Sequence, residues 1–159
     1  MADKFVNMSE IEVAKGEGVL ITVGLGSCVG VAIYDRDRSV GGLAHVFLAV
    51  SKEGLDVTQP GKFADTAIPA LADAVVRIGG RRSALEAKIA GGANLFPKLA
   101  NSSLNVGKQN VEAVKEHLNL NKIPLRGEAV EGNRGRKMTL YTKTGVVVVQ
   151  SIGEEPQEI

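Results

Sequence analysis

A glycine-rich bend between two strand-like segments is the sequence feature that most constrains the fold. Residues 19–23 are apolar and mostly β-branched, Gly24-Leu25-Gly26-Ser27-Cys28 follows, and strand character resumes over residues 29–34. Glycine adopts backbone conformations that other residues avoid, so this segment predicts a sharp bend between two strands. The bend places Cys28 at the end of the second strand.

The second strand is followed by a polar turn at residues 35–39 and a third predicted strand at 42–48. If the two strands pair antiparallel around this turn, the numbers of paired positions sum to about 73 or 75. Any odd sum places the side chains of Cys28 and His45 on one face of the sheet, and any even sum places them on opposite faces. A Cys28–His45 pair therefore depends on the register of this hairpin.

The rest of the chain predicts two helices and four more strands. Apolar spacing indicates a helix that begins near Asp65 and stops at Gly79-Gly80, and a second helix that Asn105 caps and that stops near Asn121. The further strands are predicted at residues 85–89, 123–130, 137–142 and 145–151. Strands in blocks, without strict alternation with helices, predict an α+β fold with mixed sheets.

Length and composition limit the domain number and the kinds of partner. The 159 residues, 44% of them hydrophobic, predict a single domain over residues 1–159. Nineteen basic and eighteen acidic residues nearly cancel, so charge indicates neither nucleic acid nor a membrane surface as a partner. No signal-like start or long apolar run predicts secretion or membrane insertion. One cysteine and two histidines fit a reducing cytoplasm and are a poor basis for a metal site.

The glycine segment also invites a dinucleotide-binding interpretation, which its surroundings disfavour. Its spacing is G-x-G-x-x-x-G, and glycines after a strand allow backbone amides to approach a pyrophosphate. Such a loop should open a helix, whereas residues 29–34 are β-branched and should extend. No cofactor is therefore expected.

Cys28 and His45 are the candidates for chemistry. A lone cysteine is most often a small buried hydrophobic residue, and a strand histidine is often structural. Together they can share a proton and hold the sulfur as the nucleophilic thiolate. Thr22, otherwise an ordinary strand threonine, could accept a hydrogen bond from the other imidazole nitrogen and fix the tautomer. Backbone amides around Ser27 and Cys28 are the candidate oxyanion donors.

Three polar segments have simpler interpretations. Residues 132–136 form a predicted turn, although Asn133 or Arg134 could instead bind a substrate carboxamide. Residues 35–38 read most simply as a charged hairpin tip, and Arg81-Arg82 as a solvated helix exit.

Several segments resemble the chemoreceptor glutamine deamidase family, CheD. They lie in the family's order over nearly the whole chain: Gly24-Leu25-Gly26-Ser27-Cys28-Val29, Gly42-Leu43-Ala44-His45, and residues 60–67, 87–93 and 132–134. The resemblance implies a cytoplasmic thiol deamidase that converts glutamines on the cytoplasmic helices of chemotaxis receptors to glutamates. The family's threonine, cysteine and histidine map onto Thr22, Cys28 and His45.

The resemblance also implies a fold and a second partner. Similarity to bacterial toxin deamidases implies a cysteine-hydrolase fold of mixed β-sheets packed together, with flanking α-helices. The second partner is a CheC-type chemotaxis phosphatase. Two alternatives to deamidation stay open: a non-catalytic module that binds and regulates such a phosphatase, and peptide-bond cleavage by the same cysteine and histidine.

Overall fold

A computed structural model of the chain describes residues 3–51, 58–95 and 105–159, which form two β-sheets and two α-helices. The strands are β1 (Asp3–Phe5), β2 (Ile11–Lys15), β3 (Val19–Leu25), β4 (Val29–Asp35), β5 (Val40–Val46), β6 (Glu86–Gly91), β7 (Leu125–Val130), β8 (Arg136–Tyr141), β9 (Val146–Ser151) and β10 (Gln157–Glu158). The helices are α1 (Ala64–Arg77) and α2 (Val106–Leu120), with short 3-10 turns at Pro60–Lys62 and Arg82–Ala84.

Both sheets are mixed, which confirms the predicted α+β class. The first has the strand order β1-β3-β8-β9-β10 and the second β2-β5-β4-β6-β7. The pairs β1–β3 and β6–β7 are parallel, and the other pairs are antiparallel. The alternation of side chains along β4 gives the second sheet two buried faces.

One face of the second sheet packs on the helices and the other on the first sheet. Val29, Val31 and Ile33 of β4 belong to the core shared with α1 and α2. Ala32 and Tyr34 belong to the core between the two sheets. A side chain at position 28 or 30 therefore points between the sheets, because positions of equal parity share a face.

The helix boundaries agree with the predicted ones. Asn105 caps α2 by accepting a hydrogen bond from the Lys108 N–H at 3.0 Å, and Asn121 is the C-terminal cap. Helix α1 begins at Ala64 and ends just before Gly79. The Asn105 cap at the start of α2 and the glycines that follow α1 act locally, so the sequence specifies these two ends directly.

Some strands and one loop differ from the prediction. Strands β1, β2 and β10 were not predicted, and β5 runs over Val40–Val46 instead of residues 42–48. The polar composition of residues 51–62, with two glycines and a proline, predicts an exposed loop, of which residues 52–57 lie outside the described part of the chain. Its end is not an exposed loop, because Pro60–Lys62 forms a 3-10 turn in which Gly61 is buried.

The predicted charged hairpin tip is present, with residues 36–38 exposed, but Asp35 at its base forms an ion pair with Arg81 of the predicted solvated helix exit. Arg81 keeps 40% of its side chain exposed, so the prediction of a solvated exit misses this pairing. Asp35 is 1% exposed and accepts three hydrogen bonds from Arg81, at 3.0 Å from its backbone N–H and at 2.9 and 3.0 Å from its guanidinium. These hydrogen bonds from Arg81 lower the pKa of Asp35 to about 2. The ion pair joins the end of β4 to the segment after α1.

Candidate active site

A β-bulge in β3 carries the chain from the first sheet to the second. The pairing of β3 with β8 shifts between Thr22 and Leu25, and Gly24 within the bulge has a φ of 70°. The Gly26 N–H then donates to the Gly24 carbonyl at 3.0 Å, which closes a tight turn. The glycines thus make the sharp bend that the sequence predicts, and Cys28 is the last residue before β4.

The register of the β4–β5 hairpin places Cys28 and His45 on the same face. Gly30 pairs with His45 and Val29 with Val46, so paired positions sum to an odd number, which is the register that puts Cys28 and His45 on one face. Cys28 lies two residues before Gly30 and is therefore diagonal to His45. Both side chains are buried between the sheets, with 4% and 3% of their surfaces exposed.

Thr22 reaches His45 from the first sheet and fixes its tautomer. The Thr22 hydroxyl oxygen lies 2.7 Å from His45 Nδ1 and 2.6 Å from the Val6 carbonyl oxygen. A carbonyl oxygen can only accept, so the single hydroxyl proton goes to Val6 and the hydroxyl must accept from His45 Nδ1–H. The hydrogen bond expected from the sequence is present, and it leaves Nε2 with the lone pair.

His45 Nε2 is buried and has no hydrogen-bond partner among the described residues. An unpaired buried nitrogen costs about 1–3 kcal/mol, which a purely structural histidine would avoid. Burial also lowers the pKa of His45, because it disfavours the charged imidazolium. The ring is therefore a neutral base at rest, with its basic nitrogen free.

Burial acts against the resting thiolate that the sequence predicts. Desolvation raises the pKa of the Cys28 thiol, while the backbone N–H of Cys28 itself lowers it. Since burial raises the thiol pKa and lowers that of His45, both side chains on this sheet face are favoured in their neutral forms at rest.

The backbone around Cys28 has its carbonyls bound and its N–H groups unused. The carbonyls of Gly26, Ser27 and Cys28 accept hydrogen bonds from Ala93 N–H (2.8 Å), Asn110 Nδ2 (2.9 Å) and Gly92 N–H (2.8 Å). The N–H groups of Ser27 and Cys28 donate to no acceptor among the described residues. Neighbouring N–H groups without an acceptor in the described part of the chain are available to an anion, so these two stay the candidate oxyanion donors.

Gly91 makes this arrangement possible. It has a φ of 112°, and a Cβ built on it would lie 2.2 Å from the Cys28 carbonyl oxygen. The end of β6 can therefore approach the Cys28 backbone only when residue 91 is glycine. Gly91 thus positions the backbone of the candidate nucleophile.

The two predicted substrate-binding residues lie at different distances from this site. Ser27 is half-buried next to Cys28, and its carbonyl is held by Asn110. Asn133 is exposed in the loop between β7 and β8. This loop is hydrogen-bonded to the segment after β6, since Asn94 N–H donates to Gly132 and Glu131 N–H to Gly91, both at 2.9 Å. Asn133 is thus connected to the site through the backbone.

Asn110 is the residue of the site that the sequence analysis missed. It is 0% exposed on α2, and its amide also donates to the Phe47 carbonyl at 3.0 Å. A signal was available, because Asn110 shares a helix face with the apolar Val114 and Leu118 at intervals of four residues. A polar residue on a buried helix face calls for a specific partner.

Within the described part of the chain, no group of three or more histidine, cysteine and acidic side chains is placed to hold a metal ion. None of the helices described is long and apolar enough to cross a membrane.

The fold and the site define an α+β protein with a candidate Cys–His–Thr catalytic site at the junction of two sheets. Residues 47–151 match the CheD family, described as chemotactic sensory transduction. A "Probable chemoreceptor glutamine deamidase CheD" from Clostridium botulinum (strain Hall) is 43% identical over 155 residues, 97% of this chain and 96% of that protein. A protein of the same name from Desulforamulus reducens is 45% identical, over 93% of this chain and 90% of the relative.

The chain belongs to the CheD family. Cys28 and His45 both lie before residue 47, where the match to the family model begins. Both lie within the 97% of the chain that aligns with the clostridial relative. Among solved structures, the Bacillus licheniformis hypothetical protein YfiH is similar with a TM-score of 0.42 and 16% sequence identity, covering 70% of this chain and 47% of YfiH.

Proposed function

We propose that the protein hydrolyses the side-chain amide of glutamines on chemotaxis receptors, giving glutamate and ammonia through a thioester on Cys28. Membership of the CheD family and the names of its relatives support the receptor substrate. The observation that carries the chemistry is the Thr22–His45 hydrogen bond, which leaves a buried, basic Nε2 on the face that Cys28 shares.

The reaction begins with proton transfer from the thiol of Cys28 to Nε2 of His45 as the sulfur attacks the carboxamide carbon. The carboxamide oxygen becomes an oxyanion, and the free N–H groups of Ser27 and Cys28 donate hydrogen bonds to it. His45 then returns its proton to the amide nitrogen, the C–N bond breaks, and ammonia leaves. A thioester between Cys28 and the substrate acyl group results.

Water completes the cycle. His45 removes a proton from the attacking water, and the same N–H groups stabilise the second oxyanion. The thiolate leaves, takes the proton from His45, and glutamate is released. Throughout, the hydrogen bond from Nδ1–H to Thr22 keeps the ring orientation fixed and stabilises the transient imidazolium.

The burial of the thiol favours a side-chain amide over a peptide bond. Cys28 is 4% exposed, so a reacting carbonyl must enter the space between the sheets. A glutamine carboxamide stands on a flexible, unbranched side chain and can enter without unfolding the receptor helix. A backbone carbonyl within a helix is surrounded by its own side chains and is hydrogen-bonded internally. The carboxamide is therefore the proposed substrate group, and Asn133 at the outer loop is proposed to contact the receptor.

The test combines purified protein with the cytoplasmic fragment of a chemoreceptor from the same organism. Ammonia release and conversion of specific glutamines to glutamates, mapped by peptide mass spectrometry, are expected with the wild type. Both should disappear with Cys28→Ala, whose folding is checked by circular dichroism. Activity retained in Cys28→Ala, or receptor fragments from chain cleavage, would contradict the proposal.

We also propose a cytoplasmic location, because the receptor helices that carry the proposed substrate glutamines are cytoplasmic. The family resemblance supports a CheC-type phosphatase as a second proposed partner. If the wild type binds such a phosphatase and Cys28 proves inert toward receptor and thiol reagents alike, the non-catalytic binding module replaces the deamidase as the better interpretation.

A further inference from the structure

Asn110 bridges the two segments that carry the candidate nucleophile and base. Its side-chain nitrogen donates to the Ser27 carbonyl, next to Cys28, and to the Phe47 carbonyl, two residues after His45. Both partners are carbonyl oxygens, which only accept, so the amide orientation is fixed by its contacts. One side chain of α2 thus binds the end of β5 and the start of β4 together.

The contact with Ser27 controls the direction of the Cys28 N–H. A peptide unit is planar, so its C=O and N–H groups point in opposite directions. When Asn110 holds the Ser27 carbonyl on one side, the Cys28 N–H must point to the other. That N–H lies close enough to its own sulfur to lower the pKa of the thiol, and it donates to no described acceptor. It is therefore aimed at the space beside the nucleophile.

Close packing of α2 on the segment after β6 brings Asn110 within reach. A Cβ built on Gly107, in the first turn of α2, would lie 2.4 Å from the Ala93 carbonyl oxygen, and a Cβ on Gly92 would lie 2.2 Å from a Val111 methyl carbon. Asn110 follows Gly107 by about one helical turn, on the same face. The glycines thus seat the helix at the distance from which its amide binds Ser27.

Stability alone does not account for an asparagine at this position. Asn110 is fully buried, and its Oδ1 has no hydrogen-bond partner among the described residues. An orphan buried acceptor typically costs about 1–3 kcal/mol, which offsets much of the gain from the two hydrogen bonds that the amide donates. The Asn110 side chain is thus costly to bury, and it orients one particular peptide unit, that between Ser27 and Cys28. These two properties together indicate a role in the reaction.

We infer that Asn110 is a positioning residue, which orients the Ser27–Cys28 peptide so that the Cys28 N–H faces the oxyanion. The inference rests on the proposed acyl transfer at Cys28. Asn110 does not touch the substrate. It acts through the peptide unit it holds, so its loss should slow steps that form an oxyanion and spare steps that do not.

Two reactions of Cys28 separate these effects. Acylation by p-nitrophenyl acetate or by a receptor glutamine passes through an oxyanion, whereas alkylation by iodoacetamide is a displacement at carbon that forms none. We expect Asn110→Leu to lower kcat for deamidation and the acylation rate by about 10- to 100-fold, with KM and the alkylation rate little changed. Leucine is close to asparagine in size and buries no charge.

Asn110→Asp serves as a second variant of nearly identical shape. Burial and the two facing carbonyl oxygens favour its neutral acid, whose one O–H keeps at most one of the two hydrogen bonds, so its rate should lie between those of the wild type and Asn110→Leu. Asn121→Leu is the matched control, since Asn121 caps the same helix and its amide also donates to a backbone carbonyl, that of His117 at 2.7 Å. The control should keep full acylation and deamidation. Thermal unfolding of each variant shows whether the fold is retained.

Each outcome decides the inference. A parallel fall in acylation and alkylation, or no fall in acylation, would overturn it, as would loss of a cooperative unfolding transition in both Asn110 variants. If the wild type is acylated by p-nitrophenyl acetate and Asn110→Leu is not, while receptor glutamines stay unmodified, the role of Asn110 stands and the receptor substrate alone fails.

Discussion

The Thr22 hydroxyl oxygen lies 2.7 Å from His45 Nδ1, across the interface between the two sheets. Because the hydroxyl proton is donated to the Val6 carbonyl, the hydroxyl is an acceptor toward the imidazole. A neutral threonine orients the ring without the negative charge of an aspartate. In the proposed reaction this neutral hydrogen bond would stabilise the imidazolium of His45, and the resting ring stays uncharged in its buried site.

Removing the Thr22 hydroxyl should slow the reaction without unfolding the protein. In Thr22→Val the ring loses its acceptor at Nδ1, and the tautomer with a basic Nε2 is no longer favoured. We expect kcat for deamidation to fall by about 10- to 100-fold. Nitrogen chemical shifts of His45, measured by NMR, should show the loss of the Nδ1–H tautomer.

The matched control for Thr22→Val is Thr142→Val. Thr142 is also fully buried, and its hydroxyl oxygen lies 2.8 and 3.1 Å from the carbonyl oxygens of Gly16 and Gly18, which share its single proton; neither partner is a histidine. Both variants should lose a similar amount of stability, and only Thr22→Val should lose activity. Equal activity in the two variants would show that the hydroxyl does not set the tautomer.

The pH dependence should separate a neutral resting pair from a thiolate–imidazolium pair. Burial lowers the pKa of His45, so the base stays deprotonated, and the deamidation rate should keep its plateau, to pH values below the usual histidine pKa of about 6.5. Burial raises the pKa of Cys28, so alkylation by iodoacetamide should still increase well into the alkaline range. Alkylation already maximal at neutral pH would demonstrate a preformed thiolate instead.

The ion pair between Arg81 and Asp35 should stabilise the fold more than the exposed ion pair between Arg82 and Asp73 does. Arg81→Met removes the two guanidinium donors of the buried Asp35 carboxylate and leaves it only backbone N–H donors. We expect the free energy of unfolding to fall by about 2–3 kcal/mol at neutral pH. Arg82→Met is the control, because Arg82 pairs with Asp73 at side-chain exposures of 49% and 57%. Such an exposed pair contributes below about 1 kcal/mol.

The Arg81 effect should also depend on pH with a defined sign. The pKa of Asp35 is lowered from 3.8 to about 2, so the pair stabilises the fold fully above 3.8 and loses its contribution as the pH falls through about 2. Urea unfolding should therefore show the difference between wild type and Arg81→Met shrinking at acid pH. A difference that stays constant down to pH 2 would contradict the role of the carboxylate.

The sequence predicted those parts of the fold that depend on local signals. The cap at Asn105, the glycine stop after α1 and the bend before Cys28 each act within a few residues, and all three were predicted correctly. Strands β1 and β10 are three and two residues long and largely exposed. Such strands exist because a partner strand offers hydrogen bonds, so their own residues carry little signal.

The candidate site likewise combines features that the local sequence specifies with features that depend on residues distant in the chain. Hairpin register was open from the sequence because odd and even sums differ by one residue, and only sheet packing fixes it. The hydrogen bonds between Arg81 and Asp35 join positions 46 residues apart, so no local sequence pattern predicts them. Asn110 was the exception, since a polar residue on the buried face of a predicted helix was visible in the sequence.

Gly91 should be required for both stability and activity. In Gly91→Ala the added Cβ would lie 2.2 Å from the Cys28 carbonyl oxygen, and the φ of 112° is strained for alanine. The backbone strain costs about 1–2 kcal/mol, and the steric overlap adds about 1–3 kcal/mol. The displaced Cys28 peptide should also lower kcat strongly. Urea unfolding and the deamidation assay measure the two effects.

Gly79→Ala isolates the strain from the overlap. Gly79 has a φ of 120°, close to that of Gly91, and a Cβ built there meets no atom within 4 Å. We expect this control to lose only the backbone term of about 1–2 kcal/mol and to keep its activity. If the two variants lost equal stability and both stayed active, the close approach of Gly91 to the Cys28 carbonyl would have no part in positioning the nucleophile.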